Sequence, residues 1–531
     1  MNTSILQQLR LKFQPRLPQV LKDLPFLVEE PASKRPIESE LASIFPRTKD
    51  QSLLYFHPAK EKKMFKPLKV GVVLSGGQAA GGHNVITGLY DALMQLNGHS
   101  RLFGFLHGPA GIIENRVVEL NAEKIAPYRN MGGFDLIGSG RTKIETPEQY
   151  QAAVQVVQAL DLDGLVIIGG DDSNTNAALL AEHFLGKSIK TRVIGVPKTI
   201  DGDLRNEDLE ISFGFDTACK TYSEFIGNVQ RDALSAGKYY FFIKVMGRSA
   251  SHIALECALQ THPNMTLIGE EVQAEKQTIQ KITESICQMI ERRAQQGKEY
   301  GVIVVPEGLI EFIPECKVLI EELNGLKEMA NVEAVQKHLS PTSLACFLSL
   351  PEAIQSQLLL DRDPHGNVKV SQIETERLFI ETVKKELKKR KAQGSYKGSF
   401  SPQPLFCGYE GRSCFPSNFD ANYGYALGQG AALLLSHEKT GYMVAAKKLA
   451  RPVEEWEIVG LPLVPMMGFE TRKGKRVPVI RKAYVDLTGK AFTQFAQNRE
   501  AWMMTDQYRY PGPIQFEGPL ELTDSIPLSL I

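Results

Sequence analysis

Five short apolar runs, separated by stretches of helical periodicity, constrain this chain more than any other feature. They occupy 69–75, 164–168, 192–196, 240–245 and 300–305, and all are rich in Val and Ile. None alternates apolar with polar residues, so each is expected to be buried on both faces, as strands of a parallel sheet are. Parallel strands need crossovers, and helical stretches at 84–96, 174–184, 215–234 and 279–296 supply them. The 215–234 stretch is expected to bury Ala218, Tyr222, Phe225, Ile226 and Val229 on one face. The fold class that follows is α/β with parallel sheets.

At 531 residues the chain exceeds one ordinary core, and two or three packed units are expected. Residues 1–66 read as an N-terminal arm with several prolines. Between 309 and 400 the strand signal fades into a helical insertion. There Ser371 and Glu374 form a capping box for a helix that turns Ile373, Ile380, Val383 and Leu387 inward. The stretch 361–366 reads as a turn, because a calcium loop would need an acid where Gln372 stands. The basic run from Lys384 to Lys391 reads as a solvated helix face.

Formal net charge is zero, which argues against nucleic acid and anionic membranes as partners. No apolar run is long enough for a signal peptide or a membrane span, so a cytoplasmic protein is expected. The seven cysteines include no CxxC pair, and reduced thiols are expected. His83, His252 and His262 share no metal-ligand spacing and read as structural.

Chemistry concentrates where strands end. Ser75-Gly76-Gly77 joins a strand to a helix, where glycine lets backbone N–H groups approach an anion. Gly169-Gly170-Asp171-Asp172-Ser173 sets two carboxylates at the strand edge where open α/β sheets bind ligands, and a carboxylate there can hold Mg²⁺ against phosphate. Lys198-Thr199-Ile200-Asp201-Gly202-Asp203 combines a lysine with two acids. One acid can take a hydroxyl proton, and the lysine can stabilise charge on separating phosphates. Arg248 and Arg412 offer guanidinium forks for phosphate, and Glu307 can accept hydrogen bonds from sugar hydroxyls. Together these segments point to magnesium-dependent phosphoryl transfer.

In order along the chain, Gly169-Gly170-Asp171, Thr199-Ile200-Asp201, Met246-Gly247-Arg248 and Glu307 resemble the landmark segments of the phosphofructokinase family. The match runs from about Lys69 to Gly308 and from Phe406 to Gly428. The resemblance implies two Rossmann-like parallel-sheet units with the active site in the cleft between them. The first is expected over 67–235 and the second over 236–308 and 401–460, with the 309–400 insertion and a 461–531 C-terminal extension. ATP-using members carry glycine where Asp172 and Lys198 stand, so the chain is similar to the pyrophosphate-dependent branch. The segment from Tyr508 to Phe516 resembles the long form of that branch.

The resemblance further implies phosphoryl transfer to the 1-hydroxyl of fructose 6-phosphate. It makes Asp201 the general base, with Lys198 and Asp172 acting at the donor, and gives Mg²⁺ to Asp171. It sets Gly77 against pyrophosphate. It lines the sugar phosphate with Thr199, Ile200, Met246, Gly247, Arg248, Glu307 and the segment Tyr409-Glu410-Gly411-Arg412. Lys238 and Tyr239 resemble residues that reach a partner subunit's site, which implies a homodimer or larger. An ATP-dependent enzyme or a non-catalytic regulatory subunit of the same family are the alternatives.

Overall fold

The computed structural model describes residues 3–32, 34–326, 335–359, 362, 367–472 and 475–531. The expected turn at 361–366 lies outside these residues, apart from Arg362. Two sheets carry the site. The larger has nine strands in the order β1-β2-β13-β12-β7-β6-β3-β4-β5. Here β1 is Leu27–Pro31, β2 Leu54–Pro58, β3 Lys69–Leu74, β4 Arg101–Phe105 and β5 Val117–Leu120. β6 is Gly164–Gly169, β7 Arg192–Pro197, β12 Tyr442–Lys447 and β13 Glu457–Pro462. The five central strands, β12 to β4, run parallel, and the outer pairings are antiparallel. The four-stranded sheet, all parallel, is ordered β11-β8-β10-β9. Its strands are β8 Lys238–Val245, β9 Met265–Thr266, β10 Glu299–Pro306 and β11 Pro402–Cys407.

All five apolar runs form strands, and their burial explains their composition. β6 is buried along its whole length, and β3 and β7 are buried after their first residue. Each buried Val, Ile or Leu contributes about 1.5–3 kcal/mol. Helix Gly82–Leu96 follows β3, Asp171–Gly186 follows β6, and Phe215–Ala236 precedes β8. On the last, Ala218, Tyr222 and Ile226 are buried, whereas Phe225 is 39% exposed, against the expected inward face. Helices Gly82–Leu96 and Asn418–Ser436 pack with their backbones almost touching. A Cβ at Gly88 would sit 2.1 Å from the Tyr425 carbonyl oxygen, and one at Gly428 2.1 Å from that of Val85.

Strand pairing redraws the expected units. β12 and β13 were assigned by texture to the second unit over 401–460, yet they pair in the larger sheet beside β7 and β2. The N-terminal arm over 1–66 is not separate either, since β1 and β2 form one edge of that sheet. Alternation of strands and helices says how a strand pairs but not with which sheet. The C-terminal extension spans both units. Its hairpin, β14 (Met467–Arg472) with β15 (Lys475–Ile480), packs on helix Asp171–Gly186. Its helix Lys490–Thr505 packs by the smaller sheet, where Trp502 stacks on His262 at 4.0 Å.

The insertion is helical and packs its own apolar core on β8 and β10. Its expected capping box does not form. Ser371 lies in a 3₁₀ turn, Val370–Gln372, and the helix begins later as Thr375–Ala392, with Glu374 as its N-cap. The Glu374 backbone N–H instead bonds to Gln357 Oε1 at 2.8 Å. Ile373, Ile380, Val383 and Leu387 are buried as expected. In the basic run, Lys384, Lys385, Lys388 and Lys389 are exposed. Arg390 is the departure, buried and ion-paired with Glu284, Glu291 and Glu386. All seven cysteines are free. Among the described residues, no helix is long and apolar enough to cross a membrane.

Candidate active site

Six loops leave the carboxyl ends of parallel strands and meet in one cleft. From the larger sheet come the segments after β3, β6 and β7. The chain turns from β3 to β4 on one side and back to β6 on the other, so the crevice between β3 and β6 is a topological switch point, where open sheets bind ligands. There the hydroxyl of Ser173 donates to that of Ser75 at 2.8 Å. Asn174 donates to the Gly169 carbonyl at 2.6 Å and holds the turn into the helix. From the smaller sheet come Met246-Gly247-Arg248 after β8, Glu307 after β10 and Gly408 to Arg412 after β11.

Three cations converge on the Gly76–Gly77 backbone. Gly76 has φ +86°, which glycine adopts without strain. A Cβ there would lie 3.1 Å from Lys198 Nζ, and one at Gly77 would lie 3.2 Å from an Arg412 guanidinium nitrogen and 3.3 Å from one of Arg141. Lys198 is buried, and burial is the main force bringing its ammonium down to about 7. Arg412 and Arg141 push the same way, while Asp201 and Asp171 oppose them. Such a cluster of like charges around a glycine turn at a helix N-terminus can hold an anion. Arg412 also spans the cleft, donating to the Gln78 carbonyl at 3.2 Å and touching Met246 Sδ at 3.1 Å.

The acids stand beside the cations. Asp171 opens helix Asp171–Gly186, and its Oδ2 lies 3.6 Å from Lys482 Nζ. Asp172 Oδ1 is 3.1 Å from Lys143 Nζ. The Asp201 backbone N–H donates to Thr199 Oγ1 at 3.1 Å. Asp203 is buried, and burial first, then Asp201 and Asp171, raise its carboxyl to about 7. Across the cleft, burial and the Asp201 charge push Glu307 up to about 7, with Lys244, Arg412 and Arg248 opposing. Glu307 Oε2 accepts the Gly247 N–H at 3.2 Å. Burial works against the Arg248 charge, but Asp201, Glu311, Asp171 and Glu307 around it outweigh that effect.

Gly77, Asp171, Asp172, Lys198, Thr199, Asp201, Met246, Gly247, Arg248, Glu307 and Arg412 are thus brought together. Others are not. Ile200 is wholly buried and packs in the core. The Glu410 carboxylate accepts the Gly408 N–H at 2.7 Å and so braces its own turn. Gly411 packs on Tyr222, where a Cβ would meet the ring at 2.6 Å. Tyr409 stands 76% exposed. Lys238 and Tyr239 open β8, whose other end carries Met246. An eight-residue strand is about 25 Å long, so they lie far from this chain's own cleft.

Three residues were missed by sequence reasoning. Arg141 and Lys143 follow Gly138-Ser139-Gly140, and Gly140 lies alongside Ser75, accepting the Gly76 N–H at 2.9 Å. Paired glycines with alternate basic residues were a readable anion-loop signal. Lys482 follows a basic run, Arg472 to Arg476, that reads equally well as a solvated turn, and a hairpin far along the chain delivers it.

The phosphofructokinase family model matches residues 69–435. A pyrophosphate–fructose 6-phosphate 1-phosphotransferase subunit beta 1 of Arabidopsis thaliana is 55% identical, covering 97% of this chain and 92% of that protein. The enzymes of that name (without a subunit designation) from Treponema pallidum and Porphyromonas gingivalis are 51% and 49% identical, over 99% and 100% of this chain and 96% and 99% of theirs. Among solved structures, the pyrophosphate-dependent phosphofructokinase of Nitrosospira multiformis superposes with a TM-score of 0.56 at 16% identity, over 87% of this chain and 95% of that one, and shares the fold. With the ordered strand-end segments and the cleft they build, these matches establish that the chain belongs to the phosphofructokinase family.

Proposed function

We propose that this protein reversibly transfers a phosphoryl group from pyrophosphate to the 1-hydroxyl of fructose 6-phosphate, giving fructose 1,6-bisphosphate and phosphate. The observation that carries this reading is the convergence of Lys198, Arg141 and Arg412 on the Gly76–Gly77 backbone, beside Asp171, Asp172 and Asp201. The names of the Arabidopsis, Treponema and Porphyromonas relatives support the same reaction.

Each group has a task. Gly77 N–H, Lys198 and Arg141 hold the small, highly charged donor. Lys198 stabilises the charge that grows on the departing phosphate. Asp201 takes the proton of the sugar 1-hydroxyl as it attacks. Asp172, held by Lys143, sets a negative charge where a nucleotide would bring another phosphate, and so favours pyrophosphate over ATP. Arg248 and Arg412 bind the sugar phosphate, and Glu307 accepts from its hydroxyls.

Among the described residues, no group of three metal-binding side chains forms a ready cage. Magnesium commonly uses one or two carboxylates completed by phosphate oxygens and water, which suits Asp171 at the edge of the anion cradle. Held there by Asp171, it would offset the charge on the donor's phosphates. Lys238 and Tyr239 would serve the site of a second copy, making a homodimer the smallest complete assembly. The Arabidopsis relative's naming as a subunit accords with an assembly.

The test is a coupled assay of the purified chain alone with pyrophosphate or ATP. Turnover with pyrophosphate and little with ATP is expected, and the double variant Asp172→Gly, Lys198→Gly should raise ATP use relative to pyrophosphate. No turnover by the chain alone would sink the enzyme reading. An unchanged donor preference in the double variant would sink the account of donor choice.

A further inference from the structure

The strand-end loops do not complete the cleft by themselves, because a residue from the C-terminal extension enters it. Lys482 follows β15 directly. Its Nζ lies 3.6 Å from Asp171 Oδ2, on the larger sheet's side, and donates to Ser249 Oγ at 3.1 Å, on the smaller sheet's side. Asp203, Arg248 and Glu470 also act on its charge. The ammonium therefore sits on the seam between the two half-sites, which the transferred phosphoryl group must cross.

The position is built by the chain on either side. Ile480 N–H donates to Thr175 Oγ1 at 2.9 Å, and Ala483 N–H to the Asp203 carbonyl at 2.7 Å. His252 Nε2 donates to the Ala483 carbonyl at 3.0 Å, and Val485 N–H to Glu270 Oε1 at 2.9 Å. The segment is thereby tied to both units. The neighbouring basic side chains do different work. Arg476 pairs with Glu40 at 2.7 Å and Arg481 with Glu38, lining a cavity of about 400 Å³ that Lys482 also lines. Lys482 faces the acids at the strand ends.

A surface ion pair gains little from such tethering, and its lysine keeps wide rotamer freedom. An ammonium fixed beside a carboxylate and a hydroxyl retains a third N–H for a further acceptor. We propose that Lys482 is a donor-site residue whose ammonium contacts a pyrophosphate oxygen beside Asp171. The assignment rests on the pyrophosphate reading given above. It makes the C-terminal extension part of the active site rather than only a brace.

The unmodified protein is first assayed with pyrophosphate. Absence of turnover there would overturn the proposed function, and this assignment with it. Lys482→Gln and Lys482→Arg are then compared by calorimetric pyrophosphate binding, by the KM values for pyrophosphate and fructose 6-phosphate, and by melting temperature. The glutamine variant should bind pyrophosphate about tenfold more weakly or worse, as loss of a charge-assisted hydrogen bond does. Its KM for fructose 6-phosphate should stay within about twofold, and the arginine variant should recover most of the pyrophosphate affinity. Pyrophosphate affinity unchanged in Lys482→Gln would overturn the assignment alone. So would a parallel loss for both substrates with a lowered melting temperature, which a merely structural strap would give.

Discussion

On the larger sheet, every loop at the site is tied to another: Ser75 to Ser173, Gly76 to Gly140, Asp172 to Lys143 and Asp171 to Lys482. On the smaller sheet several ties run to other parts of the chain, with Lys482 on Ser249 and Tyr222 on the Gly408 carbonyl. Glu307 holds the Gly247 N–H, Arg412 reaches over to Gln78, and Tyr409 stands in solvent. β11, which leads to Tyr409, is an edge strand with most of its residues accessible. The side proposed for the donor is thus preorganised by the chain itself. The side proposed for the sugar leaves room for a ligand and a second copy to finish it. A small, multiply charged donor offers few handles and needs fixed charges, whereas a sugar phosphate can be bound by groups that adjust.

The comparison can be broken most severely at Asp201, which both halves feel. Asp201→Ala should lower kcat by about 10²–10⁴, because proton removal occurs only in the transfer step. Steady-state kinetics showing a kcat above a tenth of the original would remove Asp201 from its role. Glu307→Gln sharpens the contrast. It should raise KM for fructose 6-phosphate about tenfold and leave KM for pyrophosphate within twofold. Glu307 titrates near 7, and its charged form is the better acceptor, so the wild-type KM for the sugar should fall as pH rises through about 7. The glutamine variant should lose that dependence. For stability the sign is opposite: a carboxyl raised above its unfolded value of 4.5 stabilises fully below about 4.5, and that contribution is lost as pH rises through 7. The smallest effect belongs to Glu410→Ala. It removes a brace on Gly408 and touches no proposed substrate group, so both KM values should stay within about twofold.

The strands and their chemical ends were legible because both are local. A run such as Leu165-Val166-Ile167-Ile168 reads as buried strand wherever it stands, and Gly-Gly-Asp after it reads as a ligand edge. What was lost depends on where the chain returns. β12 looks like any strand, and only its pairing with β7 shows which sheet it joins. Ser371 and Glu374 fit a capping box by spacing, but Gln357 from another helix captured the Glu374 N–H. Ile200 and Glu410 sit inside candidate site segments yet face a core and a turn. Lys482 is the limiting case, since the basic run from Arg472 to Arg476 before it reads equally well as a solvated turn.

The order of the larger sheet also sets an order in time. β1 and β2 leave the ribosome early, but β2 must wait to pair with β13, and Arg10 donates to Asn418, 408 positions later. The ammonium beside Asp171 arrives later still. At about 5–20 residues per second, the nascent chain spends tens of seconds with an unclosed sheet edge. Such contacts are slow to form and leave strands open to wrong partners meanwhile. A ribosome that stalls between β13 and Lys482 therefore releases a polypeptide with its whole larger sheet but without the ammonium beside Asp171.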